Sequence, residues 1–162
     1  MLAINDRGLL LVQDSIGAWL IRGSVDGLIY AAGDRLRWLL PLLERSPADV
    51  SAALPQASVA DTPLPALVRF ALTASGEYWP GLALGWLESG WPIGDVLDVL
   101  AEMKHARGIS QPLRHRALRL WRIAVHKDGW TLPGSRHNDT NRGRSARVIL
   151  GTGTGARLTR RR

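Results

Sequence analysis

A chain of 162 residues, 46% apolar and without cysteine, has enough material for a core of its own. The lack of cysteine excludes a disulfide framework, a thiolate metal site and a cysteine nucleophile. The formal charge of +7 is unevenly placed: residues 1–130 carry 13 basic and 13 acidic side chains, and residues 131–162 carry eight arginines against Asp139 alone.

Residues 1–33 admit two readings. Leu9, Val12, Ile16, Trp19 and Leu20 fit one helical face. Gly8, Gly17, Gly23, Gly27 and Gly33 break long helices, and a hairpin with Leu9–Val12 and Trp19–Ile21 as strands fits nearly as well. The most apolar stretch, Gly8–Ile21, is interrupted by Gln13, Asp14 and Ser15, whereas a membrane span needs about 20 nearly continuous apolar residues. Asp6 also stands where a signal peptide would be basic. No membrane association is expected, and the expected compartment is the cytoplasm.

Asp34 is placed to cap a helix carrying Leu36, Leu39, Leu40 and Leu43, which Pro41 should kink or split. Ser46 and Pro47 open a short helix to about Leu54, and residues 55–61 read as a linker. Thr62 and Pro63 then begin a helix that ends at Gly76. A second runs from near Pro80 to Gly90, a third from Asp95 to Gly108, and a fourth starts at Ser110 with Pro112 in its first turn. The connections are short, so neighbouring helices should be antiparallel. Residues 131–162 lose the apolar pattern and read as a disordered basic tail.

Four helices joined in this way make two stacked hairpins. Arg69–Phe70 followed by Tyr78–Trp79–Pro80–Gly81 is echoed by Arg119–Leu120 followed by Trp130–Thr131–Leu132–Pro133–Gly134. Over residues 62–127 this arrangement resembles HEAT-type helical repeats, which implies an interaction scaffold. The expected fold class is therefore mainly α: an antiparallel short-helix bundle or HEAT-like stacked hairpins over residues 1–130, followed by the tail.

The most informative segment for function is Gln111–Lys127. At 100° per residue, Leu113, Ala117, Leu120, Trp121 and Ala124 share one face, and His115, Arg116, Arg119, Arg122 and His126 fall opposite. Such a stripe can meet phosphates or an acidic partner, can be a solvated outer face, or can be neutralised by the acidic part of the chain. Residues 1–103 hold 6 basic and 12 acidic residues, whereas residues 104–130 hold 7 basic and one acidic. Nineteen of the 21 basic residues are arginine, which fits a GC-rich coding bias and is not by itself a sign of arginine-specific recognition.

Seven tryptophans accompany a single phenylalanine. Trp86 and Trp121 sit on apolar faces and should pack in the core. Trp79, Trp91 and Trp130 lie near helix ends, where aromatics serve as ligand contacts or interface anchors. Glu77 beside Tyr78 and Trp79 could line a pocket, and a third, enzymatic reading assembles a site from Glu77, Tyr78 and a histidine, though a glutamate at a helix start also has a structural role. His105, His115, His126 and His137 lack metal-motif spacing, and no cofactor is expected. Val148–Leu150 followed by Gly151, Gly153 and Gly155 imitates a nucleotide loop. That fingerprint needs a helix after the glycines and a further strand, which residues 157–162 do not supply.

The expected function is a small protein-interaction module, not an enzyme, binding another protein through His115, Arg116, Arg119, Arg122, Trp79 and Trp91. The alternative is a nucleic-acid-binding accessory protein that uses the same helix and the tail.

Overall fold

Two turns near the N-terminus share one design. Asn5 Oδ1 accepts main-chain N–H bonds from Arg7 and Leu9 at 3.0 and 3.3 Å, and Asp14 Oδ1 accepts from Ile16 and Ala18 at 3.0 and 2.8 Å. Each is followed three residues later by a glycine, Gly8 at φ 81° and Gly17 at φ 89°, a conformation that a β-carbon would strain. These turns fold the chain into strands. In a computed structural model, which describes residues 1–23, 27–54 and 59–128, β1 (Leu2–Ala3), β2 (Leu10–Gln13), β3 (Trp19–Arg22) and β4 (Leu28–Tyr30) form a four-stranded antiparallel sheet in the order β1-β2-β3-β4. All described residues belong to one unit, Met1–Thr131.

The register places Leu2, Leu11, Ile21 and Ile29 side by side on the face turned toward the core. The opposite face carries Val12, Leu20 and Tyr30 in one row and Leu10, Arg22 and Leu28 in the next. Leu20 is buried yet stands apart from the main core, in keeping with its place on that second face.

This sheet overturns the expectation of a mainly α bundle and of HEAT-like stacked hairpins: the fold mixes β and α, and its helices pack with the sheet around one core. The helical reading of residues 9–20 fails because it ignores the two side-chain-built turns, which fix an alternating strand pattern instead.

Residues Gly33–Glu44 form a 3-10 helix of 12 residues, with Pro41 inside it. Such helices rarely run beyond three or four residues. Here Leu36, Leu39 and Leu42 recur every third residue and Leu40 and Leu43 lie beside them, all buried, which matches three residues per turn. The α-helix expected to break at Pro41 is thus replaced by a continuous helix of a different pitch. Helix α1 (Pro47–Ala52) begins as expected, with Ser46 Oγ accepting from the Asp49 N–H at 3.1 Å.

A 3-10 turn at Val59–Asp61 precedes α2 (Leu64–Leu72), and α3 spans Tyr78–Glu88. A second 3-10 turn, Gly94–Val96, leads into α4 (Leu97–Met103), and α5 covers the 18 residues Gln111–Asp128. Leu11 of the sheet, Leu39 and Leu42 of the 3-10 helix, and Leu64, Leu67, Leu84 and Leu100 of the α-helices are all fully buried in one core. Polar bonds stitch the parts together. Trp19 Nε1 donates to Asp61 O at 2.7 Å, Trp86 Nε1 to Leu43 O and Arg45 O at 3.1 and 2.9 Å, and Arg45 Nη1 to Ala3 O at 3.2 Å.

Helices α3 and α5 lie side by side in the same direction. Glu77, just before α3, accepts from the Ser110 N–H, just before α5, at 3.1 Å; Glu88, at the end of α3, meets Arg116 and Arg119 further along α5. The polypeptide returns through α4 to make this parallel pair. The tail, Trp130 and His137 lie outside the described residues.

Candidate functional site

Helix α5 is long for this molecule and two-sided. Leu113, Ala117, Leu120 and Ala124 are buried against the core at helical spacing, as the sequence implies. Trp121 is only half-buried, and the Lys104 ammonium lies 3.3 Å from the centre of one of its rings. The Glu77 carboxylate at the start of α5 suits the positive end of the helix dipole.

The opposite side of α5 carries His115, Leu118, Arg119, Arg122 and Ile123, spaced i, i+3, i+4, i+7 and i+8, so they form one continuous ridge. Ile123 is 53% exposed. The sequence reading named the basic members of this ridge and missed the aliphatic ones. The signal was present: Leu118 and Ile123 interrupt the polar face at helical spacing.

Arg116 departs from the expected outward stripe. It turns toward α3, where Gly81 and Gly85 lie one helical turn apart and leave room for its guanidinium; a β-carbon built on Gly85 would stand 3.7 Å from Nη2. From there Arg116 Nε and Nη2 donate to Glu88 Oε1 and Oε2 at 3.1 and 2.8 Å, a two-pronged pair. Arg119 Nη2 reaches the same carboxylate at 2.6 Å, although its side chain remains 64% exposed. The Arg116 hydrogen bonds hold the Glu88 carboxyl below its usual range against the opposing pull of partial burial, and Arg119 adds to the effect. Neutralisation by the acidic part of the chain, one of the three readings of the stripe, is therefore present at Arg116 and Arg119. Arg122 lies beyond this cluster and is exposed.

One hollow lies beside the ridge, bordered by Arg119 and Ile123. Of about 460 Å³, it runs between α5 and the loop after α3, with Trp91, Pro92 and Ile93 on one wall and Leu120 and Ile123 on the other. Glu88 and Arg119 are its charged members. The ridge itself, from His115 to Ile123, is an open helix face.

The loop wall has a local cause. Gly90, at φ 99°, ends α3 in a left-handed turn, and the Trp91 N–H donates back to Trp86 O at 3.1 Å. This lays the Trp91 ring against Trp86, with centroids 5.1 Å apart. Trp91 is only 7% exposed, so it is a structural wall of the cleft rather than the free ring expected at a helix end. Trp79 is half-buried, packed on the core and edge-on to Tyr78 at 4.7 Å, away from this hollow.

The enzyme reading began from Glu77, Tyr78 and a histidine. Glu77 bonds the Ser110 N–H, Tyr78 OH donates to Glu44 Oε1 at 3.0 Å, and neither lines a described cleft. That bond to Glu44 raises the Tyr78 pKa. Among the described residues no three His, Asp or Glu side chains gather as a metal site, and no helix is long and apolar enough to cross a membrane. No family model, curated protein or solved structure matches this chain.

Proposed function

We propose that this protein is an interaction module that holds a segment of another protein against the outer side of α5. The observation that carries the reading is Ile123, an exposed aliphatic side chain on α5 at the rim of the hollow walled by Trp91, Pro92 and Ile93. Among the described residues, the other large apolar side chain exposed on an α-helix, Tyr78, is tied to Glu44 by its hydroxyl. Interfaces draw their affinity from a few apolar or aromatic anchors seated in pockets and ringed by polar groups, and this surface has that composition.

The nucleic-acid alternative draws support from the arginine content. It is weakened by Glu88, which occupies two of the three stripe arginines, and by the aliphatic side chains within the ridge. Phosphate binding depends on several free cations and on the release of counterions.

Selection of displayed random peptides on the full chain tests the proposal. Peptides that bind the protein are expected to bind Ile123→Glu at least about tenfold more weakly, the scale of losing one buried anchor. Indifference of the selected peptides to Ile123→Glu would overturn the assignment of the site. In parallel, labelled DNA and RNA are titrated with salt against the full chain, an Arg116→Ala/Arg119→Ala/Arg122→Ala variant and a variant with Arg157, Arg160, Arg161 and Arg162 changed to Ser. A steep salt dependence that disappears only with the first variant would favour the nucleic-acid reading.

A further inference from the structure

If α5 holds a partner segment, as the interaction reading has it, the geometry and charge of its ridge narrow the kind of segment that fits. From His115 to Ile123 the ridge spans about 12 Å, roughly two helical turns. Its side chains follow the i, i+3, i+4, i+7 rows along which one helix packs into the grooves of another. Along the middle of a helix the main-chain groups bond within it, so an extended strand finds no edge to pair with on this face of α5. The hollow between α5 and the loop after α3 has room for one row of side chains from a helix lying across Arg119 and Ile123. The walls of this hollow at Trp91, Pro92, Ile93 and Leu120 call for an aliphatic side chain.

The charges decide the rest. Glu88 is the one carboxylate bonded by Arg116 and Arg119, and Arg122 lies beyond it, so three guanidinium groups against one carboxylate leave two positive charges at the ridge. Arg116 alone already gives Glu88 both prongs of a carboxylate pair. Arg119 can therefore turn to an incoming carboxylate without leaving Glu88 unpartnered. A basic or neutral partner would forfeit this complementarity.

We infer that the segment held by α5 is an acidic amphipathic helix, with an aliphatic side chain seated between Trp91 and Ile123 and carboxylates on Arg119 and Arg122. Its apolar residues recur at i, i+3 or i+4 and i+7, with Glu or Asp beside them.

The peptides selected on the full chain supply the probes. They are expected to carry aliphatic residues at helical spacing and an excess of Glu and Asp. Synthetic versions with each Glu→Gln should bind about tenfold more weakly in fluorescence anisotropy at about 0.15 M salt. Arg122 is exposed and outside the Glu88 cluster, so Arg122→Glu is expected to leave the urea midpoint unchanged; it should weaken the acidic peptides and restore binding of their Glu→Lys versions. Peptides that depend on Ile123 but bind equally well after Glu→Gln would overturn the acidic-helix inference while leaving the interaction site in place. Peptides that ignore both Ile123 and Arg122 would remove the site and the inference together. Duplex DNA that binds the full chain and is lost on Arg122→Glu would reassign the ridge to phosphate and overturn the inference.

Discussion

The same substitution has opposite consequences within α3 and just past its end. Gly81 and Gly85 lie within α3 in ordinary helical conformation, and a β-carbon there meets Leu113 and Arg116 atoms at 3.7–3.9 Å, a normal contact distance. Gly81→Ala and Gly85→Ala should each stabilise the protein, by up to about 1 kcal/mol, because alanine gives up less backbone freedom on folding. Gly90→Ala has open space around it, but its φ of 99° is hostile to a β-carbon, so it should cost about 1–2 kcal/mol. Urea midpoints of the three variants check the sign of each effect. The ion pairs make a second residue-level prediction. Arg69 Nη1 donates to Asp98 Oδ1 at 2.8 Å and to Asp95 O at 2.9 Å, and the hydrogen bonding from Arg69 lowers the Asp98 pKa from 3.8 to about 2. The carboxylate is held charged more firmly in the folded state. Its contribution is therefore complete above about pH 4 and is lost as the pH falls toward 2. Both side chains are about half exposed, so solvent screening keeps the effect below about 1 kcal/mol. Asp98→Asn should lower stability at neutral pH by a few tenths of a kcal/mol and flatten the acid limb over that window. An unchanged acid limb would contradict the assignment.

At the scale of elements, the exposed side of the sheet carries its own consequence. Ala31 N–H donates to Trp19 O at 2.9 Å, so the alternation of the ladder turns the main-chain groups of Ile29 toward β3 and those of Leu28 and Tyr30 toward the open edge. That edge, Leu28–Tyr30, has no charge and no proline, the devices that usually prevent strands of different molecules from pairing. Leu28→Glu places a carboxylate opposite Arg22 and should reduce concentration-dependent light scattering while changing stability by no more than about 0.5 kcal/mol. The elements also show what was legible. Helices α1 to α5 could be read because Ser46, Pro47, Pro80 and Ser110 punctuate apolar residues at helical spacing. The buried face of α5 could be read for the same reason. The sheet was one of two open readings because its strands are only two to four residues long, too short for periodicity to separate them from a helix. The decisive signal was the repeated Asn/Asp-x-x-Gly of residues 5–8 and 14–17, a turn chemistry rather than a pattern of hydrophobicity. The 3-10 helix was misread because five leucines in eight residues satisfy a period of 3.6 nearly as well as one of 3.0. At the candidate site, charge type was legible, but the turning of Arg116 toward Glu88 depends on the parallel placement of α3 and α5, which no local pattern encodes.

At the scale of the molecule, the acidic first part of the sequence and the basic segment after it meet in space. Glu77 and Glu88 from the acidic part engage Ser110, Arg116 and Arg119 of the basic part. The sheet is bound to the helices through Trp19 and Arg45, and the 3-10 helix to α3 through Trp86. Leu11, Leu39, Leu67 and Leu100, from four different elements, share one core. Sheet and helices should therefore unfold together, with tryptophan fluorescence and far-ultraviolet dichroism giving superimposable urea transitions; separate midpoints would show two independent units. The parallel pair of α3 and α5 also bears on the order of events during synthesis. Proteins emerge from the ribosome N-terminus first. The sheet is a chain of adjacent hairpins and can close as it appears, but Glu77 waits for Ser110, 33 positions later, before its bond can form. Until α5 is made, the Gly81–Gly85 side of α3 stays uncovered and Glu88 stays without its arginines. A nascent chain stalled within α4 would thus display an apolar, acidic-ended α3, the species a chaperone would meet and the one from which misassembly would begin.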